Sequence, residues 1–130
     1  SRLALDEGVY YAHFLILGGY GDTRENVRET IENSRRMEYT VMFPYAGMRI
    51  YPHTRLAELA AKEGAIGRDD DLMAPSYYIS RDFDLEEVRR AALATGKAWV
   101  FPDDPQSALA DTLRLKRNKK GPLWEYLRKP

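Results

Sequence analysis

Residues 13–23, HFLILGGYGDT, constrain most of what this chain can fold into. An apolar run, Phe14, Leu15, Ile16 and Leu17, ends on the closely spaced glycines Gly18, Gly19 and Gly21, and Asp22 stands where a helix should begin. That order predicts a strand, a tight turn and a helix N-terminus. Backbone N–H groups converge at such a junction, so a phosphate, ribose or carboxylate can dock there. The same order is also an ordinary way to join a strand to a helix. It is neither a Walker A loop nor a GxGxxG fingerprint, because no lysine follows and the glycine spacing differs.

The strand is expected over residues 9–17. Side chains alternate along it, placing Tyr11, His13, Leu15 and Leu17 on one face and Tyr10, Ala12, Phe14 and Ile16 on the other. The first face carries the ionisable group and is assigned to a lumen, the second to helix packing. A helix over residues 24–36 should follow, with Asp22 as N-cap and Glu25 completing a capping box. Its inward stripe is Val27, Thr30, Ile31 and Ser34, and Arg28/Glu32 and Glu32/Arg36 are spaced for ion pairs outside. Residues 39–45, YTVMFPY, form the second strand, which makes a βαβ unit with parallel strands.

Residues 47–52 extend this strand as a loop, and Thr54 caps a helix over residues 55–63 that ends at Gly64. Residues 67–75 read as an acidic loop and 76–80 as a short extended piece. Asp84 and Glu87 make a second capping box, opening a helix that runs to Thr95 and stops at Gly96. Its inward stripe is Leu85, Val88 and Ala92. Residues 98–101 suit a last strand. Asp104-Pro105 opens a further helix with Leu109, Thr112 and Leu113 inward. Residues 116–120 are a basic break, after which Leu123, Trp124 and Leu127 dock on the body. Before all of this, residues 1–7 read as the last turns of a helix capped by Gly8, the beginning of which lies outside the sequence.

At 130 residues, with 44% hydrophobic and 31% charged, the chain can build one core and stay dispersed in water. Twenty basic and twenty acidic residues cancel, so no general field attracts nucleic acid or an anionic membrane. The absence of cysteine excludes disulfides, a thiolate nucleophile and cysteine-ligated iron–sulfur or zinc sites within these residues. No apolar run approaches the ~20 residues of a membrane span, and a reducing cytoplasm is the expected compartment.

Strand C-termini are where ligands gather in α/β sheets, and both unusual loops, residues 18–22 and 47–53, fall there. Arg49 can clamp a carboxylate or phosphate from that rim, or pair with Asp22 and tie the two loops together. His13 can reach a substrate from the lumen face, or serve as a hydrogen-bonded structural histidine. His53 reads as part of a helix-start loop. Two histidines far apart make a weak metal site, and Asp69, Asp70 and Asp71 lack the alternation and glycine of a calcium loop.

Two segments in order carry a family resemblance. LILGGYGDT followed by a charged helix resembles the fifth barrel strand of radical SAM enzymes, with its glycine-rich GxPGET-type turn. MFPYAGMRIYPHTRLAELAAKEG resembles the sixth strand, where a YPGT-like sequence precedes L-x-x-x-A-x-x-x-G. The likeness is to the group with an upstream cobalamin-binding domain and covers residues 3–78. It implies the α/β class: a fragment of an incomplete (β/α) barrel with about two parallel strands in residues 1–78, then a mostly helical extension, residues 79–130, packed on it. It also implies a parent that cleaves S-adenosylmethionine reductively with a 4Fe-4S cluster on a CxxxCxxC loop, with cobalamin as a further cofactor. By position, Ile16 matches the residue whose backbone lies near the adenine, and Gly18, Gly19, Gly21 and Asp22 match the adjoining turn. Arg49 and Tyr51 would face the substrate side, with His13.

Asp22 stands where the family has glutamate, and His53 where it has glycine. With no cysteine the isolated chain is expected to be inactive and to bind no cofactor alone. Its expected partners are the N-terminal part of the same protein and a second copy pairing through the strand at residues 9–17. Two readings from other classes are a stand-alone α/β module binding an anionic nucleotide-like ligand and a structural interaction domain.

Overall fold

In the computed structural model, residues 2–102, 123–128 and 130 are described. The helix expected after Asp104 and the basic break at 116–120 lie outside them. Helix α1, Arg2–Asp6, ends at Gly8, which takes φ of 67° as the capping reading requires. Strand β1 is Ala12–Leu17, α2 is Arg24–Asn33 and β2 is Val41–Ala46. After α2 a 3-10 turn, Ser34–Arg36, completes the stretch expected to be helical. Strand β3, Met48–Ile50, follows, then α3 (Arg55–Glu63), β4 (Ser76–Tyr78), α4 (Leu85–Ala94) and β5 (Ala98–Trp99). None of the described helices is long and apolar enough to cross a membrane.

The fold is mixed α/β with three parallel strands in the order β1-β2-β5, where about two were expected. Residues 47–52 were expected to be a loop. Instead β3 pairs antiparallel with β4, giving the backbone of Met48, Arg49 and Ile50 partners in Tyr78, Tyr77 and Ser76. This hairpin and α3 enclose a small core of Ile50, Ala60, Leu72 and Tyr78, with Leu56, Ala57 and Ile66 at its edge.

The main core joins Leu17, Val27, Ile31 and Met42 to Val88, Ala92, Trp99 and Phe101. Residues beyond 79 therefore supply a helix and a strand to the core begun by β1. Since Leu17, Met42 and Trp99 point to α2 and α4, both helices cover one face of the sheet, and it is the face expected to line a lumen. The other face, expected to pack helices, is open at Phe14 (69% exposed) and Ile16 (59% exposed). The assignment of faces is thus reversed. Both halves of β1 are equally apolar, so strand alternation separates them without saying which side the helices take. At its N-terminal end the open face is closed. Val41 is fully buried, a 3-10 turn, Leu123–Leu127, lies beside β2, and the Arg128 guanidinium sits 3.9 Å from the Tyr10 ring centroid.

Three local readings are corrected by the chain's own hydrogen bonds. Thr23, not Asp22, caps α2: its hydroxyl accepts from the Asn26 amide while the Asn26 side chain accepts from Thr23 N, so the box closes one residue later. Arg28 pairs with Glu87 of α4 and Glu32 with Arg35, in place of the expected i,i+4 pairs. Glu87, drawn to Arg28 and Arg24, belongs to that bridge, while Asp84 Oδ1 alone accepts from the Glu86 and Glu87 amides. Arg28 finds a cross-helix partner because α2 and α4 lie side by side, while Glu32 keeps a local one three residues on.

Candidate functional site

The C-terminal ends of β1 and β2 meet at the glycine turn. Asp22 folds back into it: its Oδ2 accepts from the Gly19 amide at 3.0 Å and its own amide donates to the Gly19 carbonyl at 3.1 Å. The turn is thus closed by its own acid, and Arg49 makes no ion pair with Asp22. Gly18 has φ of 75°, and a Cβ there would lie 2.4 Å from Phe83 Cγ. A Cβ on Gly19 would meet the Met48 side chain at 2.8 Å. These two glycines are required by packing from β3 and from the segment before α4. Gly21, with φ of 84° and nothing within 4 Å, faces open space.

Ser80 and Phe83 hold this arrangement and no sequence pattern nominates them. The Ser80 amide donates to the Gly18 carbonyl at 2.8 Å, its hydroxyl donates to the Asp22 carbonyl at 2.9 Å, and the Phe83 amide donates to the Ser80 carbonyl at 3.0 Å. Tyr20 packs edge-on against Tyr78, ring centroids 5.6 Å apart. The Tyr78 hydroxyl donates to Glu63 at 2.8 Å, which pushes its pKa above the ordinary tyrosine value.

No protein-family model, curated protein or solved structure matches this chain. The residues of the site therefore speak through their geometry. Ile16 lies on the open sheet face beside Tyr45, its register partner on β2. Arg49 and Tyr51 stand together on the rim, with the guanidinium 4.9 Å from the Tyr51 ring centroid. His53 lies at the start of α3 with φ of 60°, the left-handed conformation a glycine would take without cost. Histidine tolerates this region better than most residues, and the loop keeps its shape: Thr54 still caps α3 through the Ala57 amide and donates to the Tyr51 carbonyl.

His13 is brought to none of these residues. It stands on the helix-covered face opposite Met42, edge-on to Tyr11 with ring centroids 5.4 Å apart. Its Nε2 is buried and has no hydrogen-bond partner among the described residues. Burial therefore lowers its pKa below the ordinary 6.5. Because the unfolded chain takes up this proton first, the stability held by neutral His13 is complete above pH 6.5 and is lost as the pH falls toward the folded-state value. Urea unfolding at pH 7 and pH 5 should show a smaller loss of stability in His13→Leu than in the parent chain.

Among the described residues no group of three His, Asp or Glu side chains could hold a metal ion. The acidic run instead shapes its own loop: Asp70 Oδ1 accepts from the Leu72 amide at 2.9 Å and Asp71 Oδ1 from the Met73 amide at 3.0 Å. These bonds support the left-handed φ of 55° that lets Leu72 turn into the small core.

Proposed function

We propose that this chain is the C-terminal wall of a radical SAM barrel, and that its parent cleaves S-adenosylmethionine reductively. One observation carries the reading: a parallel sheet with neighbouring strands in chain order, both crossover helices on one face and apolar side chains bare on the other. Parallel sheets are normally covered on both faces. A doubly wound sheet achieves this by reversing strand order and placing helices on both sides, whereas a barrel winds one way and turns its second face inward. The present order and one-sided helices suit the barrel. On this reading Phe14, Ile16, Phe43 and Tyr45 face the lumen, and the edge of β1 away from β2 receives the preceding strand. In the chain alone, that edge is where a second copy would pair.

The cofactors fit unequally. Without cysteine, the residues of this chain cannot ligate a 4Fe-4S cluster, so the cluster's ligands belong to other parts of the parent. Nothing in this chain is diagnostic of cobalamin. S-adenosylmethionine supplies that family with a deoxyadenosyl radical. Toward it, this chain offers the exposed Ile16 and the open side of Gly21, while Gly18 and Gly19 are filled from behind by Phe83 and Met48. Asp22 holds the turn in one shape and excludes an anion from the Gly19 amide, which counts against an anion-binding stand-alone module.

The test uses the protein from the complete reading frame, purified without oxygen and supplied with iron and sulfide. The expected result is a 4Fe-4S electron paramagnetic resonance signal that changes when S-adenosylmethionine is added, with 5′-deoxyadenosine formed on reduction. A complete reading frame without a CxxxCxxC segment, or a protein that assembles no cluster, overturns the proposal.

A further inference from the structure

Phe14, Phe43 and Tyr45 gather on the open sheet face. The Phe14 ring lies 5.2 Å from Phe43 and 6.3 Å from Tyr45, with interplanar angles of 16° and 20°. Phe43 and Tyr45 are two residues apart on β2, or ~7 Å along the strand, so the three rings form a triangular apolar patch. Next along the chain comes a cation. Arg49, four residues after Tyr45 and so at most ~13 Å from it along extended backbone, is exposed and has no carboxylate partner among the described residues. Two exposed tyrosines accompany it: Tyr51, whose ring lies under the guanidinium, and Tyr77, its register partner on β4.

We propose that this rim binds a small amphipathic molecule, its apolar body on Phe14, Phe43 and Tyr45 and one carboxylate or phosphate on Arg49 between Tyr51 and Tyr77. Rings turned to solvent gain by covering themselves with apolar surface, which fixes the body of the ligand. A guanidinium without a carboxylate partner accepts a bidentate anion, which fixes its end. The four residues from Tyr45 to Arg49 set an upper bound of ~13 Å between the two backbone positions, which a small molecule can bridge. A bilayer surface would call for a cluster of cations, whereas among the described residues Arg49 is the cation set against Tyr51 and Tyr77. As the class of the parent's substrate this inference rests on the barrel reading. As a binding site it stands on these residues alone.

Two fluorescent dyes test it on the chain itself: 8-anilinonaphthalene-1-sulfonate, which joins fused rings to an anion, and the uncharged N-phenyl-1-naphthylamine. The sulfonate dye should saturate at one per chain while the protein keeps a cooperative thermal melt. Arg49→Gln should weaken the sulfonate dye about five- to tenfold and leave the uncharged dye unchanged, and Phe14→Ser, at an exposed position, should weaken both. Non-saturable binding, or an Arg49→Gln variant that treats the two dyes alike, overturns the proposal. Co-sedimentation with phosphatidylglycerol vesicles that depends on Arg49 also overturns it, assigning the rim to a membrane. Failure here leaves cluster assembly in the full-length protein untouched. A full-length protein without a cluster, beside a chain that discriminates the dyes, removes the enzyme and keeps the site.

Discussion

Gly47→Ala should lower the stability of this chain by about 2–5 kcal/mol. Two costs coincide there. Gly47 takes φ of 77°, a conformation that costs an L-residue ~1–2 kcal/mol. A Cβ would also lie 2.5 Å from the Tyr78 carbonyl oxygen and 2.8 Å from Ile79 Cγ1. The first of these contacts is backbone, part of the strand that pairs with Met48, Arg49 and Ile50, so it cannot retreat without opening the hairpin. Overpacking of this kind costs a further ~1–3 kcal/mol. The Gly47 amide also donates to the Leu17 carbonyl at 2.7 Å, tying β1 to the start of β3, and displacement would lengthen that bond. Gly21→Ala is the matched control, with φ of 84° and no atom within 4 Å of the added carbon. It should cost ~1 kcal/mol, from the backbone alone. Urea denaturation of the two variants separates these values, and equal losses would mean that the Tyr78 backbone yields.

Much of this architecture is legible along the chain because its signals are local. Gly8, Gly64 and Gly96 end helices where the pattern stops, and Thr54 and Asp84 begin them, since capping depends on residues within one turn. What the sequence hides is decided across distance. Phe14 and Ile16 are as apolar as Leu15 and Leu17, and only the arrival of α2 and α4 makes one pair core and leaves the other bare. Met48, Arg49 and Ile50 carry no strand signature, because the strand exists through pairing with residues far along the chain. The glycine turn shows the same limit. Its glycines suggest a cradle, yet Gly18 and Gly19 answer to Phe83 and Met48, and Asp22 answers to Gly19. Arg49 and Tyr51 could be placed on a rim from their position after β2. Their company with Tyr77 depends on β4 and could not be read from spacing.

Trp99→Ala should cost about 3–5 kcal/mol, and where the loss is felt matters more than its size. Trp99 is buried, stacks on Phe101 with ring centroids 6.3 Å apart, and donates from Nε1 to the Thr95 hydroxyl at 3.1 Å. That hydroxyl donates in turn to the Ala92 carbonyl at 2.6 Å, so the indole anchors the last turn of α4 as well as filling the core. Removing it leaves a cavity and one hydrogen bond fewer at the Thr95 hydroxyl. Trp99 also sits in β5, paired with Met42 of β2, and Met42 is fully buried beneath α2 and α4. Loss of the indole should therefore loosen α2, whose sequence lies more than sixty residues away, as much as α4. Native-state hydrogen exchange reads this directly: the Val27 and Ile31 amides should lose protection in step with Val88 and Ala92. If α2 kept its protection while α4 lost it, residues beyond 79 would be an addition to a core that stands without them. Loss in both is the behaviour of one cooperative core, in which β5 is the strand that lets two crossover helices lie side by side.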